Sequence, residues 1–195
     1  TIGTSDHSTT EIHYFTSDSA NSEEKIKLKL FQKRAEKIRY SIDSWQNYFW
    51  IHTNQDQSPD FKICRCKHEN IKVWEDFISA KKEVVIGGFD FLDDWMIRGE
   101  MSNALPKLFV RNIKTNEEEE IKISDEAIGC PAASLMEKNR NTSKIRVGWE
   151  SMKTPGKIYE YDILTKEKKL VKETEIPSGH DPDKYVYLNP QRMTL

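Results

Sequence analysis

The feature of this chain that most constrains its fold is a structural plan that occurs four times. Each copy has a strand rich in aromatic or β-branched residues, a turn rich in Ser, Pro, Gly or Asn, and a second strand in which apolar and polar residues alternate. The paired segments are residues 12–16 with 25–31, 48–53 with 61–66, 94–100 with 107–113, and 144–150 with 157–163. A repeated hairpin of this kind predicts an antiparallel, all-β chain.

The copies are spaced almost regularly. The corresponding positions Ile26, Phe61, Leu108 and Ile158 lie 35, 47 and 50 residues apart, an average of 44. At an offset of 50 the last two copies pair Glu100 with Glu150, Lys107 with Lys157, Leu108 with Ile158, Ile113 with Ile163, Thr115 with Thr165, and Glu117 with Glu167. A period of about 40–50 residues with four strands is typical of propeller blades. We therefore predict an all-β fold, a partial β-propeller of about four four-stranded antiparallel blades. An antiparallel sandwich is the alternative, because its strands alternate in the same way.

The segments between the hairpins supply further strands. Residues 119–123 and 169–172 each follow a tight turn and predict a third strand. Residues 84–89 and 128–135 are apolar and contain small residues, which predicts innermost strands near an axis with little room for side chains. Residues 71–78 are the one plausible helix, and they are too short for more than a single turn or loop.

Charge and composition exclude several classes of partner. The 195 residues include 30 Lys and Arg against 32 Asp and Glu, so the net charge of −2 provides no basic field for nucleic acid or an anionic membrane. The chain has no apolar run of about 18 residues, and residues 1–5 lack the basic and apolar features of an export signal. We expect a soluble chain with a cytoplasmic location. Its 3 Cys favour reduced thiols over a disulfide framework.

The sequence offers weak candidates for a serine nucleophile. The pattern G-x-S-x-G does not occur in it. Ser134 and Ser151 come closest, but each lacks the second glycine, which favours ordinary strand and turn serines. His180 stands beside Asp181, yet adjacency in sequence is weak evidence because a triad is assembled in space. We predict no catalytic residue in this chain.

Candidate metal ligands are equally weak. Cys64, Cys66 and His68 would face one way in a strand, but same-face neighbours lie about 7 Å apart, too far to share a tetrahedral ion. Buried, reduced cysteines are the preferred interpretation. Asp90, Asp93 and Asp94 lack the spacing and glycine of a calcium loop. We predict no metal site and no bound cofactor.

Other charged or titratable groups favour structural roles. Lys25, Lys27 and Lys29 alternate with apolar residues, as on a solvated strand face or a protected edge. His13 and His52 lie inside aromatic strands, where structural histidines are expected. The acidic run 117–120 predicts a turn in water.

Several runs resemble oligopeptidase B (protease II), a branch of the prolyl oligopeptidase-type serine peptidases. They are residues 157–172, the pattern Ile176-Pro-x-Gly179-x-Asp181-Pro-x-x-Tyr185-Val186, Ser151-Met-x-Thr154-Pro155, and the upstream runs 4–12, 48–54 and 60–63. The resemblance implies the later part of a seven-bladed propeller that covers a C-terminal α/β-hydrolase domain. In that branch the hydrolase domain carries Ser, Asp and His and cuts oligopeptides after Lys or Arg. None of the family's catalytic positions has a counterpart here.

The resemblance also implies boundaries and partners. Residues 1–186 are expected to form the partial propeller and residues 187–195 a divergent C-terminal tail, with the hydrolase domain absent, as in a truncated or split reading frame. The chain alone is then expected to be inactive and to depend on a missing α/β-hydrolase domain or chain. Oligopeptides are the expected substrates of the intact enzyme, and open blade faces are expected to promote self-association. A free-standing interaction module that pairs with a separate hydrolase chain, or a degenerate remnant, are the alternatives.

Overall fold

The computed structural model describes residues 1–16, 26–126, 129–135, 140–177 and 184. In these ranges, every secondary-structure element of two or more residues is a β-strand. In chain order they are β1 (Ile2–Ser5), β2 (Thr10–Tyr14), β3 (Lys29–Gln32), β4 (Tyr40–Trp45), β5 (Tyr48–Thr53), β6 (Lys62–Lys67), β7 (Glu75–Ile78), β8 (Val84–Leu92), β9 (Trp95–Ser102), β10 (Leu105–Asn112), β11 (Glu118–Glu120), β12 (Cys130–Leu135), β13 (Lys144–Glu150), β14 (Lys157–Asp162) and β15 (Lys168–Glu173). Within these ranges, no helix has the length and apolar character needed to cross a bilayer.

The strands form four antiparallel sheets, and each sheet follows the order of the chain. The first contains β1-β2-β3, the second β4-β5-β6-β7, the third β8-β9-β10-β11 and the fourth β12-β13-β14-β15. Each predicted hairpin is found, as β2-β3, β5-β6, β9-β10 and β13-β14. The four sheets confirm the predicted all-β class and blade-like meander, with three strands described in the first sheet and four in each of the others.

The chain divides into two compact units, Thr1–Ile86 and Gly87–Leu195, and the division falls inside β8. The first unit has an aromatic core, in which the Phe31 and Phe49 rings meet edge to face at 5.2 Å. Tyr40 contributes a buried hydroxyl, which accepts a hydrogen bond from the Ile12 amide at 2.9 Å and donates one to the Gln32 carbonyl at 3.0 Å. Each of these buried polar groups therefore has a partner.

Residues 71–78 are not a helix: the segment begins with a turn, as the expected single turn or loop, but its last four residues form a strand. Glu75–Ile78 is strand β7, which pairs with β6 at the edge of the second sheet. Ile71 and Trp74 pack against the aromatic core from the turn that precedes this strand. The spacing of three residues between Ile71 and Trp74 therefore reflects two contacts with the core and not a helical turn. The residues that follow are extended because they pair with β6.

The second unit has a mainly aliphatic core shared by its two sheets. Ile97, Leu108 and Val110 from the third sheet pack with Ile145 and Val147 from the fourth. Burial of such side chains is worth roughly 1.5–3 kcal/mol each, so this cluster contributes strongly to the stability of the unit.

The internal repeat is visible in the hydrogen bonds of two turns in this unit. Asn112 Oδ1 accepts from the amides of Lys114 and Thr115 at 2.9 and 3.0 Å. Fifty residues later, Asp162 Oδ1 accepts from the amides of Leu164 and Thr165 at 2.9 and 3.2 Å. These side chains mimic a backbone turn, so both copies reverse direction in the same way before β11 and β15.

The offset of 50 residues between the third and fourth copies does not hold on the first strand of the hairpin. Lys107 pairs with Glu100, whereas Lys157 pairs with Trp149, so the structural counterpart of Glu100 is Trp149 rather than Glu150. The offset is 49 on β9 and β13 and 50 from β10 onward. A two-residue turn joins β9 to β10 at Asn103 and Ala104, with φ of 55° and 58°, while the longer loop 151–156 joins β13 to β14.

Candidate functional site

The first strands of the third and fourth sheets, β8 and β12, carry the small residues that the sequence analysis singled out. A Cβ at Gly87 would lie 2.9 Å from the carbonyl oxygen of Gly99, so only glycine lets β8 approach β9 this closely. At Gly88 the Cβ position has no atom within 4 Å. Crowding therefore explains the first glycine, while the second borders open space.

That space is a pocket of about 250 Å³ between the two sheets of the second unit. Ile97, Leu108 and Ile145 supply apolar side chains, and Gly88, Asp90 and Ser134 also border the pocket. The predicted strand role of Ser134 is confirmed, since it lies on β12.

Ser151 lies in a turn, as the sequence analysis predicted. Its hydroxyl donates to the Glu126 carboxylate and accepts the Thr154 amide at 2.9 Å, and the Thr154 hydroxyl also donates to Glu126. The hydrogen bond from Ser151, followed by that from Thr154, lowers the pKa of Glu126. The Ser151-Met-x-Thr154-Pro155 motif therefore connects two loops of the second unit through an ionised carboxylate.

The cysteine cluster is part of the core of the first unit. Cys64 and Cys66 are both 2% exposed, which confirms the predicted buried cysteines. Burial raises the pKa of Cys64 to about 12 and that of Cys66 to about 11, so both remain protonated, weakly reactive thiols at neutral pH. His68 lies beyond the end of β6, with Nε2 3.1 Å from the Ser44 hydroxyl. Over the described ranges, no three His, Cys, Asp or Glu side chains form a group that could hold a metal ion.

The histidines in strands have structural surroundings. His52 donates from Nε2 to the Ile86 carbonyl oxygen at 2.7 Å and stacks on Phe61 with ring centroids 4.5 Å apart. Burial lowers the pKa of His52, and the charge of Arg39 adds to this effect. The prediction of a structural histidine is confirmed here, and His13 lies on β2 as predicted.

The three aspartates do not converge on one point. Asp90 is exposed on β8, and Asp93 lies at the turn between β8 and β9, with φ of 47°. The Asp94 carboxylate forms an ion pair with the Lys114 ammonium, which raises the pKa of Lys114. The three aspartates therefore lie in different settings: Asp90 on a strand, Asp93 in a turn and Asp94 in an ion pair with Lys114.

The acidic run 117–120 is not a turn in water, because Glu118–Glu120 forms β11. Glu118 lies 2.8 Å from the fully buried guanidinium of Arg98, which also donates to Glu100 at 2.6 and 2.9 Å. The sequence analysis missed this buried cluster. Its signal is the spacing of two in Arg98-x-Glu100 and Glu118-x-Glu120, which places each pair on one face of a strand.

Two sets of candidates lie wholly or partly outside the described residues. His180 and Asp181 are both outside, as is Lys25. Of the other lysines in that stripe, Lys29 opens β3 and is exposed, as expected for a solvated face.

Most of the chain is similar to proteins of a known family. Residues 1–174 match the family described as prolyl oligopeptidase, N-terminal beta-propeller domain. Dipeptidyl aminopeptidase BI of Pseudoxanthomonas mexicana is 29% identical over 155 residues, which cover 78% of this chain and 21% of that protein. Protease 2 of Moraxella lacunata is 24% identical over 185 residues, which cover 94% of this chain and 25% of that protein.

Solved structures show the same fold. Oligopeptidase B from Trypanosoma brucei, with covalently bound antipain in its closed form, matches with a TM-score of 0.81 and 20% identity over 92% of this chain and 26% of that one. The chain spans about a fifth to a quarter of the length of the curated relatives it matches. Because the family match covers most of its 195 residues, the chain belongs to the prolyl oligopeptidase family, whose N-terminal β-propeller domain it matches.

Proposed function

We propose that this chain acts as the substrate-filtering part of a prolyl oligopeptidase-type serine peptidase. The observation that carries the proposal is the match of residues 1–174 to the N-terminal propeller domain of that family, over four sheets that follow chain order. In this proposal residues 1–186 belong to the propeller, residues 187–195 form a divergent tail, and an α/β-hydrolase domain or chain is the catalytic partner.

The proposed mechanism is exclusion. A rigid propeller over the nucleophile admits a flexible oligopeptide, while a folded protein is too wide to enter. Hydrogen-bonded meanders and a tightly packed core suit this role, because neither deforms easily. No residue of this chain performs the chemistry in this proposal, which agrees with the strand position of Ser134 and the loop-connecting contacts of Ser151.

The proposed substrates are short peptides, with cleavage after Lys or Arg as the finer proposal. The runs that resemble oligopeptidase B support this choice.

The experiment joins the chain to a catalytic partner. Residues 1–186 replace the matching segment of Protease 2 of Moraxella lacunata, and hydrolysis of a fluorogenic Arg peptide is compared with hydrolysis of a folded protein that bears exposed Arg residues. We expect serine-inhibitor-sensitive cleavage of the peptide and at least tenfold slower cleavage of the folded protein. Equal cleavage of both would contradict the filtering role.

The same peptide tests the chain alone and with the hydrolase domain supplied separately. We expect no inhibitor-sensitive turnover by the 195-residue chain. Turnover by the chain alone would refute the proposed division of labour. Activity of the separately supplied pair would identify a two-chain arrangement, and sedimentation of the purified chain measures the proposed self-association.

A further inference from the structure

The start of strand β8 is held to the second sheet and its β5–β6 loop by two hydrogen bonds at one residue. The Ile86 amide donates to the carbonyl oxygen of Asp60 at 2.9 Å, and the Ile86 carbonyl oxygen accepts a hydrogen bond from His52 Nε2 at 2.7 Å. Ile86 is fully buried and is the last residue of the first unit. Its attachment therefore includes a side chain that titrates near neutral pH, that of His52.

The His52 ring also supports a strained residue. Phe61 has φ of 68°, a left-handed backbone that is an outlier for a bulky side chain. Its ring stacks on His52 with centroids 4.5 Å apart, and the Arg39 guanidinium lies 4.9 Å from its centroid. Such a backbone persists only where its surroundings hold it. His52 therefore stabilises both the position of Ile86 and the unfavourable backbone of Phe61.

The surroundings of His52 favour its neutral ring. Nε2 carries the proton of that ring, because it donates to a carbonyl oxygen, so an acidic solution adds the second proton at Nδ1. In the part of the chain that the structure describes, Nδ1 has no hydrogen-bond partner. The cross-strand neighbours Ser41 on β4 and Ile63 on β6 carry no charge that could balance an imidazolium. Burial, the largest influence, and the charge of Arg39 together lower the pKa of His52 below its ordinary value of 6.5, although the bond to Ile86 raises it.

Other charged side chains on the elements around the ring have partners of their own. These pairs are Lys62 with Asp56 and Asp76, and Lys82 with Glu83. Asp60 contributes its backbone carbonyl to the bond from Ile86. Arg39 is the charged residue that acts on His52, and its cation repels an imidazolium. A second proton on His52 therefore favours a ring that turns away from this site into water.

We propose that His52 and Phe61 form a proton-sensitive latch on Ile86, which holds the start of β8 at neutral pH and releases it in acid. Uptake of a proton from water at Nδ1 turns the ring toward solvent, which breaks the bond from Nε2 to the Ile86 carbonyl and removes the ring that stacks on Phe61. Phe61 then leaves its left-handed backbone, and the bond from the Ile86 amide to Asp60 opens. The latch goes beyond the proposed filtering role and does not depend on it.

The direction of the pH dependence follows from the lowered pKa of His52. The latch is most stable above about pH 6.5, and a fall in pH below that value favours the open state, in which the ring binds its second proton more readily. Uptake of one proton changes the open population by at most about tenfold per pH unit. We expect the protection of the Ile86 amide against hydrogen exchange to fall by at least about threefold between pH 7.5 and pH 5.5, after correction for intrinsic exchange.

The test measures amide hydrogen exchange by NMR on the complete 195-residue chain at pH 7.5, 6.5 and 5.5. His52→Gln keeps a side-chain N–H for the Ile86 carbonyl but does not titrate, so its protection at Ile86 should not change with pH. His68→Gln, at the exposed histidine beyond the end of β6, is the matched control and should retain the fall. The Ile121 amide, which donates to the Leu108 carbonyl in the second unit at 2.8 Å, reports on general effects of acid and should change less than about twofold.

A second variant repeats the test if His52→Gln lacks the circular dichroism of the parent chain. His52→Phe keeps a ring beside Phe61 without a titrating group, so its Ile86 amide should be less protected but independent of pH. Three outcomes overturn the inference: protection at Ile86 that is constant with pH in the parent chain, an equal fall in the non-titrating variant, or an equal fall at Ile121. Hydrolysis in the Protease 2 chimera tests the proposed function separately, so failure of the latch and failure of filtering are distinguishable.

Discussion

The third and fourth sheets have the same strand order and the same turn before their last strand, yet corresponding faces carry opposite chemistry. On the third sheet, Arg98 and Glu100 form a buried ion cluster with Glu118. Strand pairing places Val147 and Trp149 at the positions of Arg98 and Glu100 in the fourth sheet, within an apolar cluster. Residues that face the same side of a sheet are thus charged in one copy and apolar in the other.

The difference shows that the repeat conserves the backbone rather than the chemistry of a face. Strand alternation and an Asx-type turn define each meander, and both are local properties. Whether the residues on one face of a sheet are charged or apolar depends on what packs against that face, which is a tertiary property. Breaking the corresponding contacts in the two sheets measures how far their energetics differ.

The largest effect is expected from the buried ion cluster. Arg98→Ala leaves the buried Glu100 carboxylate without its cation, and we expect a loss of about 3–5 kcal/mol in the free energy of unfolding. Val147→Ala, the matched change in the apolar copy, should cost about 1–3 kcal/mol. Urea denaturation followed by circular dichroism measures both.

A combined variant sharpens this comparison. Arg98→Met with Glu100→Leu and Glu118→Leu converts the cluster to apolar contacts and should restore stability to within about 1 kcal/mol of the parent chain. Lys144→Ala, which breaks an exposed ion pair with Glu160, is the control and should leave the unfolding midpoint nearly unchanged. Equal effects of Arg98→Ala and Lys144→Ala would contradict a buried, coupled cluster.

The next effect concerns the approach of the first strand to the second in the third sheet. Gly87→Ala forces a shift of about 0.5 Å or more against the Gly99 carbonyl, and we expect a loss of about 1–3 kcal/mol. Gly88→Ala, and Gly148→Ala in the fourth sheet, meet only open space or an ordinary contact at 3.7 Å and should change stability by less than about 0.5 kcal/mol. Similar losses at all three glycines would refute the specific crowding.

A smaller effect separates the two Asx turns by pH. Removal of either turn side chain, Asn112→Ala or Asp162→Ala, should cost about 1 kcal/mol at neutral pH. Only Asp162 titrates. Burial, the largest single influence, raises its pKa, but the bonds from the Leu164 and Thr165 amides and the Ser143 hydroxyl together lower the pKa of Asp162 below its ordinary value of 3.8.

Because the folded state lowers this pKa, the carboxylate stabilises the protein fully above about pH 4, and its contribution falls as the pH drops through the folded value. The stability advantage of the parent chain over Asp162→Asn should therefore be constant above about pH 4 and shrink as the pH falls below it. Asn112→Asp should introduce a similar dependence in the third sheet. An advantage that is constant with pH would show that the Asp162 carboxylate does not make these bonds.

The smallest effect is expected at the fourth residue of each turn loop, where both copies use a left-handed backbone. Asn116 has φ of 65° and Lys166 has φ of 64°. Asn tolerates this region better than Lys, so Asn116→Lys should cost less than about 1 kcal/mol. Lys166→Asn should gain less than that, because it removes the hydrogen bond from Lys166 Nζ to the Ile163 carbonyl at 2.8 Å. Unfolding midpoints of the two variants measure both changes, and a gain from Asn116→Lys together with a loss from Lys166→Asn would contradict the shared backbone.

Local signals account for what could be predicted. The hairpins, the small residues on β8 and β12 and the burial of Cys64 and Cys66 all follow from alternation and residue size. The strand at Glu75–Ile78 was not predicted, because the helix-like spacing of Ile71 and Trp74 reflects two contacts with one core from the segment before the strand, which only the tertiary structure reveals. The acidic run 117–120 was assigned to water because its partner, Arg98, lies about 20 residues away in sequence.

The sequence by itself determined the all-β class, the repeated meander and the resemblance to a propeller of the prolyl oligopeptidase family, because strand alternation, turn chemistry and motif runs are local and survive without knowledge of packing. The tertiary structure decided which faces are charged, which glycine is required by crowding and where a pocket opens between two sheets. These properties depend on distances between residues far apart in the chain, such as Gly88 from Ser134. The physical reason is that burial and ion pairing are determined by neighbours in space, and a strand pattern specifies only its own alternation.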